Sequence, residues 1–165
     1  MTDQQSDGTG SLLNERATKL FAAFDEREIR AVEQGEWLEA AWAKVRDAGF
    51  ALALVSEDAG GFGIASAEAM ALLRVAGYHA APVPLAETRL ANRLLSEAGF
   101  DPVEGAATVV IAESGAFTLA KHGGDWRLGG RAAGVPWARH AETIVVLAEH
   151  DGKPFVARLR RGAAN

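Results

Sequence analysis

"SEDAGGFGIASAEAMALL" (Ser56–Leu73) sets an acidic step and three closely spaced glycines ahead of an apolar run with helical spacing. Two readings compete for it. A glycine-rich turn at a helix start is how dinucleotide-binding folds hold a pyrophosphate. The alternative is a connector between helices, in which glycine supplies positive φ and close backbone approach. "ALALV" (Ala51–Val55) reads as a strand candidate, yet "SEDA" separates it from the glycines, whereas a dinucleotide loop follows its strand at once. Counted from Gly61, the third glycine of G-x-G-x-x-G falls on Ser66. After the helix comes "APVP" (Ala81–Pro84) and then another helix, where the fingerprint needs a strand ending in an acid. The P-loop pattern is also absent. The turn reads as a connector.

Outward from it, the first hundred residues have helical periodicity. Leu13, Ala17, Leu20, Phe21 and Phe24 lie on one stripe, extended by Ile29 and Val32 after a polar patch. Trp37, Leu38, Ala41, Trp42 and Val45 form a second, closed by Gly49 as a C-cap. Ser66 caps a third helix with Glu68 in its first turn, carrying Met70, Leu73 and Gly77. Proline breaks the chain at "APVP", since the residue before proline avoids helical dihedrals. A fourth helix turns Ala86, Leu90, Leu94 and Leu95 inward and closes at Gly99.

The period changes after "DPVEG" (Asp101–Gly105). "ATVVIA", "FTLAK", "WRLGG", "TIVVLAE" and "FVARLR" are short, rich in β-branched and aromatic residues, and bounded by turns. "HDGK" (His150–Lys153) holds the Asp-Gly pair of a two-residue hairpin turn, and "KHGGDW" (Lys121–Trp126) is a second hairpin candidate. The fold class is therefore α+β: an all-α helical bundle followed by a partial antiparallel β barrel or sandwich. Residues 1–10 read as a loose, disordered tail, 11–100 as the helical domain and 101–165 as the β domain. The last strand leaves an open sheet edge, which native proteins cover or pair, so a C-terminal continuation or a partner chain is expected.

Composition narrows the function classes. The 165 residues carry a formal net charge of −5, which lacks the positive field of a nucleic-acid binder. No apolar run is long enough to span a membrane, and "MTDQQSDGTG" has no signal-peptide pattern. With no cysteine, disulfides and thiolate metal sites are excluded, which fits a reducing cytoplasmic setting. His79, His122, His140 and His150 lack metal-ligand spacing. Trp37 and Trp42, at helical spacing, read as core rather than a ligand platform. "DEREIR" (Asp25–Arg30) reads as a solvated helix face with an i,i+4 pair between Glu26 and Arg30. Arg158, Arg160 and Arg161 read as a basic strand edge in preference to a phosphate site.

The segment from "LEAAWAKVRDAGF" through "SEDAGGFGIASAEAMALLRVAGYHAAPVPLAETRLANRLLSEAGF" resembles the N-terminal helical domain of acyl-CoA dehydrogenases. Glu57, Gly60, Gly61 and Gly63 match that family's "P-E-x-x-G-G-x-G" turn, with Ser56 at the proline. "DWRLGGRAAGVPWARHAETIVVLAE" (Asp125–Glu149) is similar to its middle β domain. The resemblance spans roughly residues 12 to 160. It implies FAD-dependent α,β-dehydrogenation of an acyl-CoA thioester, in lipid metabolism such as fatty-acid or sterol side-chain degradation. It implies homo- or hetero-oligomers with an acyl-CoA dehydrogenase subunit, and an electron-transfer flavoprotein as a further partner. The family's glutamate base lies in a C-terminal helical domain beyond the matched segment, so no catalytic residue is assigned here.

By the same match, "IAES" (Ile111–Ser114) aligns with the flavin-contacting "T-E-P-x-x-G-S-D" segment, placing Glu113 at its glutamate and Ser114 beside it. Gly134 stands at the tryptophan and Pro136 at the threonine of "W-I-T-N-G". Glu113, Ser114, Gly134 and Pro136 are thus the cofactor-site candidates, with the stacking ring and a hydroxyl lost at the last two. Two readings follow: an acyl-CoA dehydrogenase-like flavoprotein stopping before its catalytic domain, or a non-catalytic subunit of a heteromeric enzyme that does not itself bind FAD. Sterol-degrading subgroups of the family also carry a "V-P-x-A" segment at this place.

Overall fold

The computed structural model describes the backbone of residues 3–113 and 115–162, and side chains from Leu12 onward within those limits. Helices α1 (Asp3–Phe21), α2 (Glu26–Glu33), α3 (Glu39–Asp47), α4 (Ser66–Tyr78) and α5 (Leu85–Glu97) precede strands β1 (Ala107–Val110), β2 (Phe117–His122), β3 (Asp125–Gly130), β4 (Thr143–His150) and β5 (Lys153–Arg160). The α+β class and the change from helix to strand after residue 100 match the sequence reading. Where the sequence reads as a tail over residues 1–10, the described backbone begins α1 at Asp3. Extending a formed helix costs far less than starting one, so the Leu13–Phe21 stripe can carry this polar lead-in.

What was read as one stripe from Leu13 to Val32 is two helices. Asp25 separates them with a capping box: its carboxylate accepts from the Arg27 and Glu28 N–H groups while Glu28 accepts from the Asp25 N–H. These bonds favour the ionised Asp25 carboxylate and lower its pKa, with the Glu28 N–H the largest cause. The Glu26–Arg30 pair is present at 2.9 Å on an exposed face. At α4, Ala65 and not Ser66 holds the cap position, and Ala69, Leu72 and Ala76 face inward while Met70 is exposed.

The glycine turn is a closed connector. Between α3 and α4 the chain makes two single 3-10 turns, at Phe50–Leu52 and Glu57–Ala59, so "ALALV" is not a strand. Every N–H from Ala59 to Ile64 is already bonded inside the segment, for example Gly63 to the Val55 carbonyl at 2.7 Å and Ile64 to that of Ala53 at 3.2 Å. No fan of free donors remains for a phosphate. Gly60 and Gly63 take φ of 84° and 56°, and Gly61 packs against the Val55 carbonyl.

Helix α5 joins the halves, and its inward face differs from the expected leucine stripe. Ala86 and Leu90 are exposed, whereas Thr88, Arg89 and Asn92 are buried with Leu85, Ala91 and Leu95. Those polar groups have work at the junction. Thr88 Oγ1 donates to the Ala107 carbonyl and accepts from the Ala107 N–H, both at 3.0 Å. Asn92 donates to the Ala51 and Val103 carbonyls and accepts from the Val103 N–H at 2.7 Å. Hydrophobic periodicity cannot anticipate such a face, because its polar side chains serve the backbone of distant elements.

Arg89 donates one bond, 2.8 Å to the Ala69 carbonyl, while its Nε and second terminal nitrogen have no partner among the described residues. Burial pushes the guanidinium down to about 10, so it stays charged at neutral pH. Because the folded value lies below the unfolded one, the penalty is full at neutral pH and eases only as pH rises through about 10. Replacing even a buried ion pair by apolar chains of similar volume is often neutral or stabilising by ~1–4 kcal/mol, and Arg89 carries the same desolvation cost without a counterion among the described residues. Arg89→Met should therefore melt at or above the parent temperature. A clear drop in Tm would show that Arg89 has further partners.

The sheet is mixed and open, which corrects the purely antiparallel expectation. β4 lies at its centre: β5 pairs antiparallel along one edge, and the other edge takes β1 in parallel from Thr143 to Val146 and β2 at Glu149. β3 continues from β2. Both predicted hairpins form, closing at His122–Asp125 and His150–Lys153, the second with positive φ at Asp151 and Gly152. One face of the sheet packs Val109 and Val145 on Ala91 and Leu95 of α5. The opposite face gathers Val110, Phe117, Val146 and Ala148 into a separate apolar cluster.

Candidate functional site

The segment after β3, Arg131–Ala141, shapes two adjoining clefts. One, of about 510 Å³, lies on the open apolar face and is lined by Val110, Phe117, Leu128, Val135, Ile144 and Val146 among others, with Arg131 its one charged side chain. The other, of about 610 Å³, runs between this loop and the α2–α3 connection, where Glu36 meets Gly134, Trp137, Arg139 and His140. Ala132, Val135 and Ala138 line both.

Two sets of contacts hold the loop. Thr108 of β1 donates its hydroxyl to the Pro136 carbonyl at 2.8 Å. Trp137, in the left-handed region at φ 58°, meets Trp37 edge-on at 6.3 Å. Trp37 in turn stacks on His140 at 5.6 Å and donates its ring N–H to Glu39 at 2.8 Å. A bulky residue at positive φ is costly, of order 1 kcal/mol or more, and persists only where the surroundings fix it. Here the fixing is aromatic. Trp42 is fully buried beside Trp37, as core, while half-buried Trp37 works as the bridge to the loop.

Gly134 and Pro136 come together in this loop; Gly134 is exposed at φ 65°. Glu113 is exposed beyond the end of β1 and is absent from the lining of both clefts. Ser114 lies outside the described residues. Sequence reasoning did not single out Thr108 or the pairing of Trp37 with Trp137. The first is a hydroxyl within a β-branched run, and the second joins residues far apart in sequence. A second aromatic group, Trp126, His150 and Phe155 at 4.8 to 6.1 Å, lies near the hairpin ends, with His150 Nδ1 2.7 Å from the Leu119 carbonyl. Among the described residues no group of three or more His, Cys, Asp or Glu is gathered to hold a metal, and no helix is long and apolar enough to cross a membrane.

No protein-family model and no curated protein matches this chain. Solved structures do. A variant of the Tcur3481-Tcur3483 steroid ACAD superposes with a TM-score of 0.82 at 26% identity, over 96% of this chain and 50% of that one. The ChsE4-ChsE5 complex from Mycobacterium tuberculosis gives 0.68 at 23%, over 98% and 48%. XiaF from Streptomyces sp., in complex with FADH2 and glycerol, gives 0.70 at 16%, over 96% and 44%. The chain thus spans about half the length of these structures. The glycine connector, the helix-then-sheet order and the match to a steroid acyl-CoA dehydrogenase agree, and the chain is a relative of the acyl-CoA dehydrogenases.

Proposed function

We propose that this chain is a subunit of a heteromeric acyl-CoA dehydrogenase-type assembly, acting on steroid-like or other acyl-CoA thioesters, in which a partner supplies the flavin site. The family resemblance gives the reaction class, α,β-dehydrogenation with FAD as hydride acceptor. The observation that carries the subunit role is how the Arg131–Ala141 loop is committed. Its Pro136 carbonyl is engaged by Thr108, and Pro136 has no N–H to offer. Trp137, the loop's only large ring, packs toward Trp37. Gly134 presents no side chain.

A flavin needs donors and acceptors along its ring edge and cations or N–H groups at its pyrophosphate. The apolar cleft offers Arg131 as its single polar side chain. These residues do not fit the cofactor, and no chemical step is assigned to them. Heteromeric organisation is supported by the complexes named for two of the matched structures.

Purified alone, the chain should be colourless and should leave the fluorescence of added FAD unquenched. It should also fail to reduce an acceptor with any acyl-CoA. A yellow preparation with stoichiometric FAD, bleached by an acyl-CoA, would replace the subunit reading with that of an enzyme in its own right.

A further inference from the structure

We infer that the Pro136–Trp137 peptide is a two-position switch, held in one position by the Thr108 hydroxyl. The inference goes beyond the subunit role and does not rest on it. Val135–Ala138 is a β-turn, closed by the Ala138 N–H on the Val135 carbonyl at 3.4 Å. Pro136 is its second residue and Trp137, at φ 58°, its third. Proline followed by a positive φ is the type II pattern, which reserves its third position for glycine or asparagine. A tryptophan there is strained. The sequence "VPWA" suits the type I turn instead, which takes proline at the same position and makes no demand on the residue after it.

The two turns differ chiefly in the plane of one peptide. Rotating that plane by half a circle exchanges its C=O and N–H and brings Trp137 to an ordinary negative φ. The flanking Cα atoms stay in place, so the ring contact with Trp37 can persist through the change. Neighbouring planes are held. The Ala138 N–H closes the turn, and the Trp137 carbonyl accepts from the His140 and Ala141 N–H groups at 2.8 and 2.9 Å. Among the described residues only Thr108 holds the switching plane itself, its Oγ1 donating to the Pro136 carbonyl at 2.8 Å. Thr108 is fully buried in β1 and paired with Ile144 of β4, so the lock sits on rigid sheet. Trp37 fixes where the ring lies; the hydroxyl fixes which way the peptide faces.

A hydroxyl can serve both positions, since it donates to a carbonyl or accepts from an N–H. Strain at Trp137 favours the flip and the hydrogen bond opposes it. A trans peptide points its C=O and N–H in opposite directions. As observed, the carbonyl faces Thr108, and the Trp137 N–H faces away from it, with no described backbone carbonyl accepting from it. After the flip, the Pro136 carbonyl stands where that N–H stood. A carbonyl or carboxylate oxygen reaching this loop therefore selects the observed position, and a hydrogen-bond donor selects the other.

Nuclear Overhauser spectra of the isotope-labelled 165-residue chain test the switch. In a type II turn the Pro136 Hα lies against the Trp137 N–H and their cross-peak is strong; in type I it is weak. The parent should give the strong cross-peak. Thr108→Val keeps the shape, removes the hydroxyl and should weaken it about fivefold or more. Thr108→Ser should keep it strong. Adding Trp137→Gly to Thr108→Val should restore it, because glycine carries positive φ without strain. That restoration separates a switch from damage to β1. Should Thr108→Val fail to fold, Thr108→Ala carries the same test. A weak cross-peak in the parent, or a strong one in the variants without the hydroxyl, would overturn the proposal. So would a glycine double variant that stays weak, since strain at Trp137 would then not drive the flip.

Discussion

Asn92→Leu should lower the melting temperature by about 10 °C and expose the segment from Ala98 to Ala106 to protease. Asn92 is fully buried, and its amide holds three backbone groups: the carbonyls of Ala51 and Val103 and the N–H of Val103. Leucine nearly conserves volume but leaves all three without partners. An orphaned buried group costs ~1–3 kcal/mol, so about 3 kcal/mol is a modest total. At this chain length each kcal/mol moves Tm by ~2–4 °C. The protease readout separates this junction from a generic core defect, because the Val103 bonds tie down the connection between α5 and β1. A variant that melts within ~2 °C of the parent would mean that water replaces the amide, and the junction would then rest on Thr88.

Gly61→Val should be the most damaging change in the glycine connector, costing about 3 kcal/mol or more. A Cβ at Gly61 would lie 2.2 Å from the Val55 carbonyl oxygen and 2.5 Å from the Val55 Cβ. Backbone must move to admit it, and that backbone is pinned by the Gly61, Phe62 and Gly63 N–H bonds to Ser56, Leu52 and Val55. Gly60 provides the contrast. It has φ 84° and nothing within 4 Å of a built Cβ, so Gly60→Ala should cost only about 1 kcal/mol through its dihedral. Chemical denaturation of the three proteins measures both terms. Similar losses at the two positions would mean that dihedral strain, and not the close approach, governs the turn.

These two sites also show what the sequence made legible. Gly61 could be read in advance, since a glycine run that fails the nucleotide fingerprint still needs a reason, and close approach is one. The hairpins were legible for the same kind of local reason: "HDGK" and "KHGGDW" carry their turn chemistry within a few residues. Asn92 was not. On helical spacing α5 offered Leu90 and Leu94 as its inward face, and a polar face serving distant carbonyls has no periodic signature. The parallel β1–β4 pair was hidden similarly, because β1 is a short apolar run that fits either direction of pairing. At the candidate site, the family resemblance singled out Gly134 and Pro136, and the structure sets both in the loop between β3 and β4. Only coordinates could show that Thr108 and Trp37 hold it.

The position of β4 between β1 and β5 carries a consequence for the order of assembly. β4 and β5 meet through a two-residue turn, a closure expected within microseconds. β1 reaches the same strand only after the whole β2–β3 hairpin and the Arg131–Ala141 loop have been gathered in, since Ala107 pairs with Thr143. Such a closure carries a larger entropic cost and sets a slower clock. The helical half is bonded to β1 through Thr88 and Ala107. Docking of helices onto sheet is therefore expected to wait for this late parallel pair. During that interval the β4–β5 hairpin would stand with both of its edges unpaired.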